Sequence, residues 1–494
     1  MNALLAGPIL LPLAGAALSI GVGRWRHAQR VIGVVTLTVV TGLSVALLLR
    51  VDDEGPRSVQ AGGWEAPVGI TLVADRLAAI MLLIAVLMLL AVLVYAIGQP
   101  GAEEDHVGFH PVYLILAAGV AAAFLTGDLF NLFVAFEVML MASYVLITLG
   151  GRADQVRSGM TYVVMSLIAS TLFLLTLAFV YSSTGTVNLA DLSTKIADLP
   201  SGVRSGLALL LIVVFGIKSA IFPLYFWLPD SYPTAPTPVT AVFAGLLTKV
   251  GVYALVRSQT LLFPEDTQPG TLLLAVAAVT MVVGVLGAIA QNDIKRILSF
   301  HIVSQIGYMV MGLGLFTVAG LAGAVIYIIH HIVVKTTLFL VAGLIEQRTG
   351  TAKLADLTGL RRLEPALAVL FLLPALSLAG IPPFSGFVAK LALVQAGLAT
   401  GEYVVVAVSL AVSLLTLFSM TKIWANTFWG PDPSSDPGRT LTAPRRALMV
   451  GSTASLVVLS IGIAVAAGPI YDLSERAAAD LVDTSTYVDE VLAP

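Results

Sequence analysis

Fourteen stretches of this chain are apolar over a length that matches a lipid bilayer, and that constrains the fold before any motif is read. A helix crossing the hydrocarbon core needs about 20 apolar residues at a rise of about 1.5 Å each. The runs lie at about 3–22, 31–50, 76–97, 111–126, 129–149, 160–182, 205–227, 238–258, 271–290, 299–317, 319–345, 366–397, 403–426 and 446–468. The run at 111–126 is short, and the run at 366–397 is long enough to be bent or broken. Hydrophobic residues fill 58% of 494 positions and charged residues 11%, where soluble domains hold roughly 45–50% and 25%. The expectation is an all-α polytopic membrane protein of about 14 transmembrane helices. No basic segment precedes the first run, whose arginines (Arg24, Arg26, Arg30) follow it, so it reads as a retained helix and not a cleaved signal.

Lysine and arginine set the orientation. With the N-terminus outside, the inner loops hold fourteen of them, Arg152 and Arg439 included, against seven outside or at outer boundaries, such as Arg76 and Arg257. An even number of spans then puts the acidic tail outside too. One loop dissents: 98–110, with Glu103, Glu104 and Asp105, falls inside.

Against this apolar background four lysines and one glutamate stand inside spans. Glu137 lies in the fifth run, Lys218 in the seventh, Lys249 in the eighth, Lys335 in the eleventh and Lys390 in the twelfth. A charge near the bilayer centre costs about 2.5–3.5 kcal/mol on insertion scales, so five facing lipid would cost about 12–18 kcal/mol. They are expected to face the protein interior, pair or meet water, and carry protons or ions. A desolvated ammonium holds its proton less firmly than a solvated one, and a desolvated carboxyl more firmly. In a row of such groups titrations are coupled, so a proton arriving at one site can expel another. The candidate path is Glu137–Lys218–Lys249–(His330, His331, Lys335)–Lys390, with Lys218 the natural partner of Glu137.

Blander readings stand beside each of these. Glu137 as a structural hydrogen-bonding group, and Lys218 and Lys249 snorkelling to an interface, are the alternatives. Lys335 either forms a relay with His331, one turn before it, or bonds carbonyls freed by a kink. Asp128 reads as a helix cap within Thr126-Gly127-Asp128, while Lys422, Asp293 and Lys295 read as interface anchors.

Composition also removes chemistries. With no cysteine, thiolate-ligated zinc, iron–sulfur clusters and a thiol nucleophile are excluded. His330 and His331 read as the only deep histidines; as helix neighbours about 100° apart they cannot clamp one haem from both sides. No Gly-rich nucleotide loop and no sizeable soluble domain is present, so no cofactor is expected, and an ion gradient or a partner must drive the chain.

An internal repeat is suggested by two spans punctured by proline. Span seven carries Pro223, span twelve Pro382 and Pro383, and a shift of about 160 residues lays Pro223 on Pro383. Proline removes a backbone hydrogen bond, which at membrane depth is tolerated where protein or a cavity repairs it. Two ordinary kinks would look the same. The organisation expected is 1–110 for three N-terminal helices, 111–258 and 271–426 for two five-helix repeats, 446–468 for helix fourteen and 469–494 for an acidic tail.

Five segments resemble a known family. They are DLFNLFVAFEVMLMASYVLITLGG, GIKSAIFPLYFWLPDSYPTAPTPVTAVFAGLLTKVGVYAL, DIKRILSFHIVSQIGYMVMG, HHIVVKTTLFL and LAGIPPFSGFVAKLAL, spread over about residues 70–430. They look like the proton-translocating membrane subunits shared by respiratory complex I, membrane-bound hydrogenases and Mrp-type cation/proton antiporters. The resemblance implies fourteen helices with two inverted five-helix repeats and broken helices seven and twelve. It further implies a functional Glu137–Lys218 ion pair, Lys249 as central proton carrier, His330 or His331 mid-relay and Lys390 as terminal site. Length, the FEVMLMASYVLITLGG wording and lysine at 390 most resemble the D-type subunits of the Mrp antiporters. A complex I or hydrogenase pump subunit is the rival, and a purely structural subunit is disfavoured by its buried charges. The implied protein is a transporter subunit and not an enzyme, in the cell inner (plasma) membrane. It would work with other subunits of a hetero-oligomer on H+ and Na+, with Li+ or K+ as alternatives, and without nucleic acid.

Overall fold

The computed structural model describes residues 2–101, 103, 108–149, 151, 153–431 and 441–492. Arg152, Arg439, Glu104 and Asp105 of the charge count lie outside the described residues. Along the chain run α1 (Asn2–Gly21), α2 (Arg26–Glu54), α3 (Arg76–Gly98), α4 (Phe109–Leu125), α5 (Leu129–Thr148), α6 (Ala153–Thr184), α7 (Leu189–Ala197) and α8 (Ser201–Ser219). Then come α9 (Trp227–Ser231), α10 (Thr237–Val242), α11 (Thr248–Leu261), α12 (Gly270–Ala290), α13 (Ile294–Gly314) and α14 (Val318–Thr349). The chain closes with α15 (Leu360–Leu363), α16 (Pro365–Ala379), α17 (Ser385–Ala399), α18 (Tyr403–Phe428), α19 (Ala443–Val465), α20 (Ala467–Val482) and α21 (Ser485–Leu492). Twelve of the described helices are long and apolar enough to cross a membrane, α10 and α11 counting as one through a π-helical stretch at Phe243–Leu247. The short α4 and the α16–α17 pair supply the two remaining apolar crossings.

The helices begin where polar residues cap them. Asp75, Asp128 and Asp293 each accept a backbone N–H three residues on, at 2.9, 2.7 and 3.0 Å, satisfying donors that an uncapped first turn leaves orphaned. Asp128 is thus the cap its sequence context indicated. Span seven ends at Ser219, four residues before Pro223, and Ala220 there takes a left-handed conformation (φ 61°, ψ 47°). Its N–H points back to Gly216 O and Ile217 O. Gly380 does the same after α16 (φ 86°, ψ 36°), donating to Leu376 O and Ser377 O. Both breaks continue identically: Ile221 N to Gly216 O and Leu224 N to Ile221 O in one, Ile381 N to Leu376 O and Phe384 N to Ile381 O in the other.

A second pair of local structures matches just as closely. Leu129 N donates to Val187 O and Leu189 N to Gly127 O, tying the start of α5 to the strand-like residue after α6. Ile294 N to Ala352 O and Leu354 N to Asn292 O tie the start of α13 to the residues after α14 in the same way. Turns at Thr184–Thr186 and Thr349–Thr351, each with a left-handed glycine (Gly185, Gly350), precede them.

The bundle is centred on α14, which contacts α3, α10, α13, α16, α17, α19 and α20. α14 and the α10–α11 crossing are enclosed along their whole apolar length, whereas α1, α2, α6, α18 and α19 keep exposed apolar faces. The most enclosed helices therefore carry Lys249, His330, His331 and Lys335.

Three features add detail to the all-α reading. One short hairpin accompanies the helices: β1 (Arg57–Gln60) pairs antiparallel with β2 (Thr71–Ala74), Arg57 opposite Ala74. The acidic tail is folded, as α20 and α21, with Ser474, Ala477, Ala478 and Leu481 buried. Arg476 of α20 binds Asp52 at 2.7 Å, Asp480 binds Arg76 at 2.8 Å, and Glu490 of α21 takes Ser58 N at 2.9 Å. Arg257, counted at an outer boundary, is buried beside Asp75 at 2.6 Å between the rings of Tyr253 and Tyr487. Of the acidic residues in the loop at 98–110, Glu103 is described and is paired. Glu103 is buried and accepts from Arg30 Nε at 2.7 Å, with His110 Nε2 at 2.5 Å from its other oxygen.

Candidate functional site

The intramembrane charges lie where the breaks and the core helices hold them. Lys218 occupies the last turn of α8, just before the first break, and only 7% of it is exposed. Its Nζ donates to Ser170 Oγ at 3.0 Å and rests 5.5 Å from the centre of the Phe136 ring. The same Ser170 hydroxyl donates to Glu137 Oε1. The carboxylate and the ammonium are therefore joined through a serine and not by direct contact. A cavity of ≈ 20 Å³ adjoins Lys218, Ser166, Tyr162 and Trp227, enough for about one water molecule. Glu137 itself is half-buried, on an α5 face whose Phe130, Val134 and Met141 are exposed.

Lys249 is fully buried. Its Nζ donates to Ala244 O at 2.6 Å and to Thr248 Oγ1 at 3.1 Å. The π-helical turn shifts the backbone ladder here. Gly245 in that turn lets α14 approach closely, since a Cβ at this position would run into Thr336 Oγ1. Lys249 lies within charge–charge range of Lys335 and His331.

Lys335 does not bond His331; its Nζ donates to Leu298 O of α13 at 3.2 Å. Both ring nitrogens of His331 lack protein partners. His330 reaches into the second break, with Nδ1 2.9 Å from Ser385 Oγ, itself 3.2 Å from Ser377 Oγ across the gap between α16 and α17. Lys390, 7% exposed, uses carbonyls that the break leaves at the end of α16: Leu378 O at 3.1 Å and Ala379 O at 3.2 Å. It also donates to Ser413 Oγ at 2.8 Å and sits 4.9 Å from the Tyr308 ring centre. Helix ends leave such carbonyls unpaired, and an ammonium inside a membrane protein finds its acceptors there.

The charges thus form three stations: Glu137–Ser170–Lys218, then Lys249 with Lys335 and His331, then His330 at the break beside Lys390. Between the second and third, fully buried polar atoms go without protein partners: both nitrogens of His331, His330 Nε2, Thr336 Oγ1, Gln305 Nε2 and His301 Nδ1. Orphaned buried polar atoms are uncommon in native proteins, and water is their usual partner. Lys422 lies apart, tying α18 to Ile289 O, Gln291 O and Asn292 Oδ1 at the α12–α13 turn. Lys295 pairs with Glu346 at 2.5 Å. Among the described residues no three or more His, Asp or Glu side chains gather as metal ligands.

The sequence reading missed several members. His301 is fully buried in α13, so His330 and His331 are not the only deep histidines. Its place two residues into an apolar run disguised it as a boundary residue. Ser170, Ser385, Ser413 and Thr248 gave no usable signal, because hydroxyl residues are frequent in apolar helices, where they bond their own backbone.

Comparison with known proteins is consistent over the whole chain. Residues 126–416 match the family described as NADH:quinone oxidoreductase/Mrp antiporter, TM. The Na(+)/H(+) antiporter D subunit of Alkalihalophilus pseudofirmus is 45% identical over 496 residues, covering 100% of both chains. A chain of the Mrp complex from Dietzia sp. DQ12-45-1b superposes with TM-score 0.94 at 34% identity, covering 100% of both. A chain of the membrane-bound sulfane sulfur reductase, an archaeal respiratory membrane complex, superposes with TM-score 0.89 at 26% identity, covering 99% of both.

Proposed function

This chain belongs to the NADH:quinone oxidoreductase/Mrp antiporter family, and from that premise we propose that it is the proton-handling subunit of a multisubunit sodium/proton antiporter. It is a multi-pass membrane protein and a transporter subunit, not an enzyme. Protons move along Glu137, Lys218, Lys249, His331 and Lys335, His330 and Lys390, in exchange for sodium carried outward by the assembly. The observation that carries this reading is the siting of four lysines and two histidines on enclosed helix segments at 0–7% exposure, each ammonium held by neutral hydroxyls and carbonyls. A buried lysine fixed by a carboxylate would leave that partner's charge unpaired on losing its proton. One held only by neutral acceptors can lose its proton without stranding a charged partner.

Exchange within the first station is supported by Ser170, which both donates and accepts, and exchange through water between the second and third by the unpartnered atoms between Lys249 and Lys390. The half-buried Glu137 on an apolar face supports contact with a neighbouring subunit at that end. Two repeats, over 111–258 and 271–426 and inverted relative to each other, are supported by the two matching breaks and the two matching bridges. Both termini outside is the orientation supported by the lysine and arginine count.

The likeness to a respiratory membrane complex favours a second reading, a redox-driven pump subunit. Inverted vesicles from a host without its own antiporters, carrying this chain with its partner subunits, separate the two. With donor oxidation blocked and a proton gradient imposed, added sodium should collapse the gradient, and Lys218→Ala should abolish the response. Proton movement that needs an electron donor, with no response to sodium, lithium or potassium, would favour the pump.

A further inference from the structure

We propose that His301, held by Ser419, is a further proton-relay residue, connecting the Lys335–Lys390 part of the row to the protein surface at the α12–α13 turn. This rests on the proton-handling reading above and extends it to a route out of the row.

Two polar faces meet to form that route. On α13, Leu298, His301, Gln305 and Tyr308 recur at spacings of three and four, which places them on one side of the helix. Each is tied to the row or stands beside it. Leu298 O accepts from Lys335 Nζ at 3.2 Å. Gln305 Oε1 accepts from Tyr327 OH, and the Tyr327 ring lies 5.8 Å from His330. Tyr308 stacks on Tyr327 at 5.1 Å and lies under Lys390 Nζ. His301 sits between these contacts, within charge–charge range of Lys335, Lys390 and His331.

On α18, Ser409, Ser413, Thr416, Ser419 and Lys422 follow the same spacing on the side facing the bundle, while Leu410, Leu414 and Phe418 are exposed on the other. The two faces touch at two rungs. Tyr308 OH donates to Ser409 O at 2.5 Å and lies 3.1 Å from Ser413 Oγ. Two helical turns along, His301 Nε2 lies 2.9 Å from Ser419 Oγ. Beyond Ser419 the seam reaches the turn that Lys422 ties down, where Asn292 is exposed. α12, packed along α13, brings no titratable side chain to it.

The two nitrogens of His301 divide the work. Nε2 is engaged by Ser419, while Nδ1 is buried and has no protein partner. A proton accepted at one nitrogen makes the ring transiently cationic, and release of the proton from the other nitrogen restores neutrality. One proton enters and one leaves, with the tautomer exchanged; a turn of the imidazole about its Cβ–Cγ bond restores the starting arrangement for the next proton in the same direction.

The test uses the assembled complex in the vesicle assay above, with assembly checked on native gels. Glutamine at 301 keeps a donor and an acceptor for Ser419 but cannot shuttle a proton. His301→Gln is therefore expected to slow sodium-dependent proton exchange about tenfold or more, no better than His301→Ala, and Ser419→Ala to slow it severalfold. Rescue to the wild-type rate by glutamine would reduce His301 to a structural hydrogen-bonding residue and overturn the inference. Unchanged exchange in Ser419→Ala, a variant that removes only one hydroxyl, would overturn it as well. Lys218→Ala and Lys390→Ala run alongside: if they too retain exchange, the row itself fails, whereas loss in them with retention in His301→Gln refutes the branch alone.

Discussion

Lys218 meets Glu137 through a shared partner: Ser170 Oγ accepts from Lys218 Nζ at 3.0 Å and donates to the carboxylate. Removing either charge should abolish coupled exchange with assembly intact. Ser170→Ala keeps both charges and breaks the link between them. A hydrogen bond to a charged group is worth about 1.5–3 kcal/mol, so exchange should fall about tenfold or more. Sodium-dependent gradient collapse in vesicles measures it, and wild-type exchange in Ser170→Ala would mean that the two charges act without that link.

Lys390 and Lys422 offer a contrast within one half of the protein. Lys390 is buried at the second break, whereas Lys422 is half-exposed and tethers a surface turn. Lys390→Ala should abolish exchange, and Lys422→Ala should reduce it by less than about threefold, as expected for an exposed anchor. The reverse order, measured in equally assembled complexes, would discredit the map of the path.

Gly386 is the second residue of α17, where the chain presses against α16 and α14. A Cβ there would run into Ser377 O and come within 2.9 Å of His330 Cε1. Gly386→Ala should destabilise by about 1–3 kcal/mol, as overpacking does, and displace His330 from Ser385. Gly451→Ala, on α19 with open space around it, should be neutral or slightly stabilising. The melting midpoints of the two variant complexes decide it.

Glu103 carries a pH dependence of readable sign. Burial pushes its carboxyl up, but the hydrogen bonds from His110 and Arg30 outweigh burial and hold it below the usual range. Its contribution to stability is therefore complete above about pH 4.3, the unfolded value, and is lost as pH falls through the lower folded value. Glu103→Gln should cost about 1–3 kcal/mol at pH 7. The gap to wild type should narrow below pH 4, as melting midpoints across pH 3.5–7 would reveal.

Much of this was legible from residue order because a bilayer leaves few options. With no water to satisfy backbone groups, apolar runs of bilayer length must become helices. All fourteen runs did so, to within a few residues at most ends and with breaks near Pro223 and Pro382–Pro383. A lysine among leucines is conspicuous for the same reason, so Lys218, Lys249, Lys335 and Lys390 stood out by the cost of burying them. The sequence by itself determined the helices, the breaks and the identity of the charges. Tertiary structure alone decided what each charge touches. Ser170 joins α6 to α5 and α8, Leu298 O comes from a helix 37 residues away from Lys335, and Ser419 stands 118 residues from His301. Those partners are hydroxyls and backbone carbonyls, present on every helix and carrying no mark in the sequence. Only the packing of one helix face on another selects which of them an ammonium or an imidazole can reach.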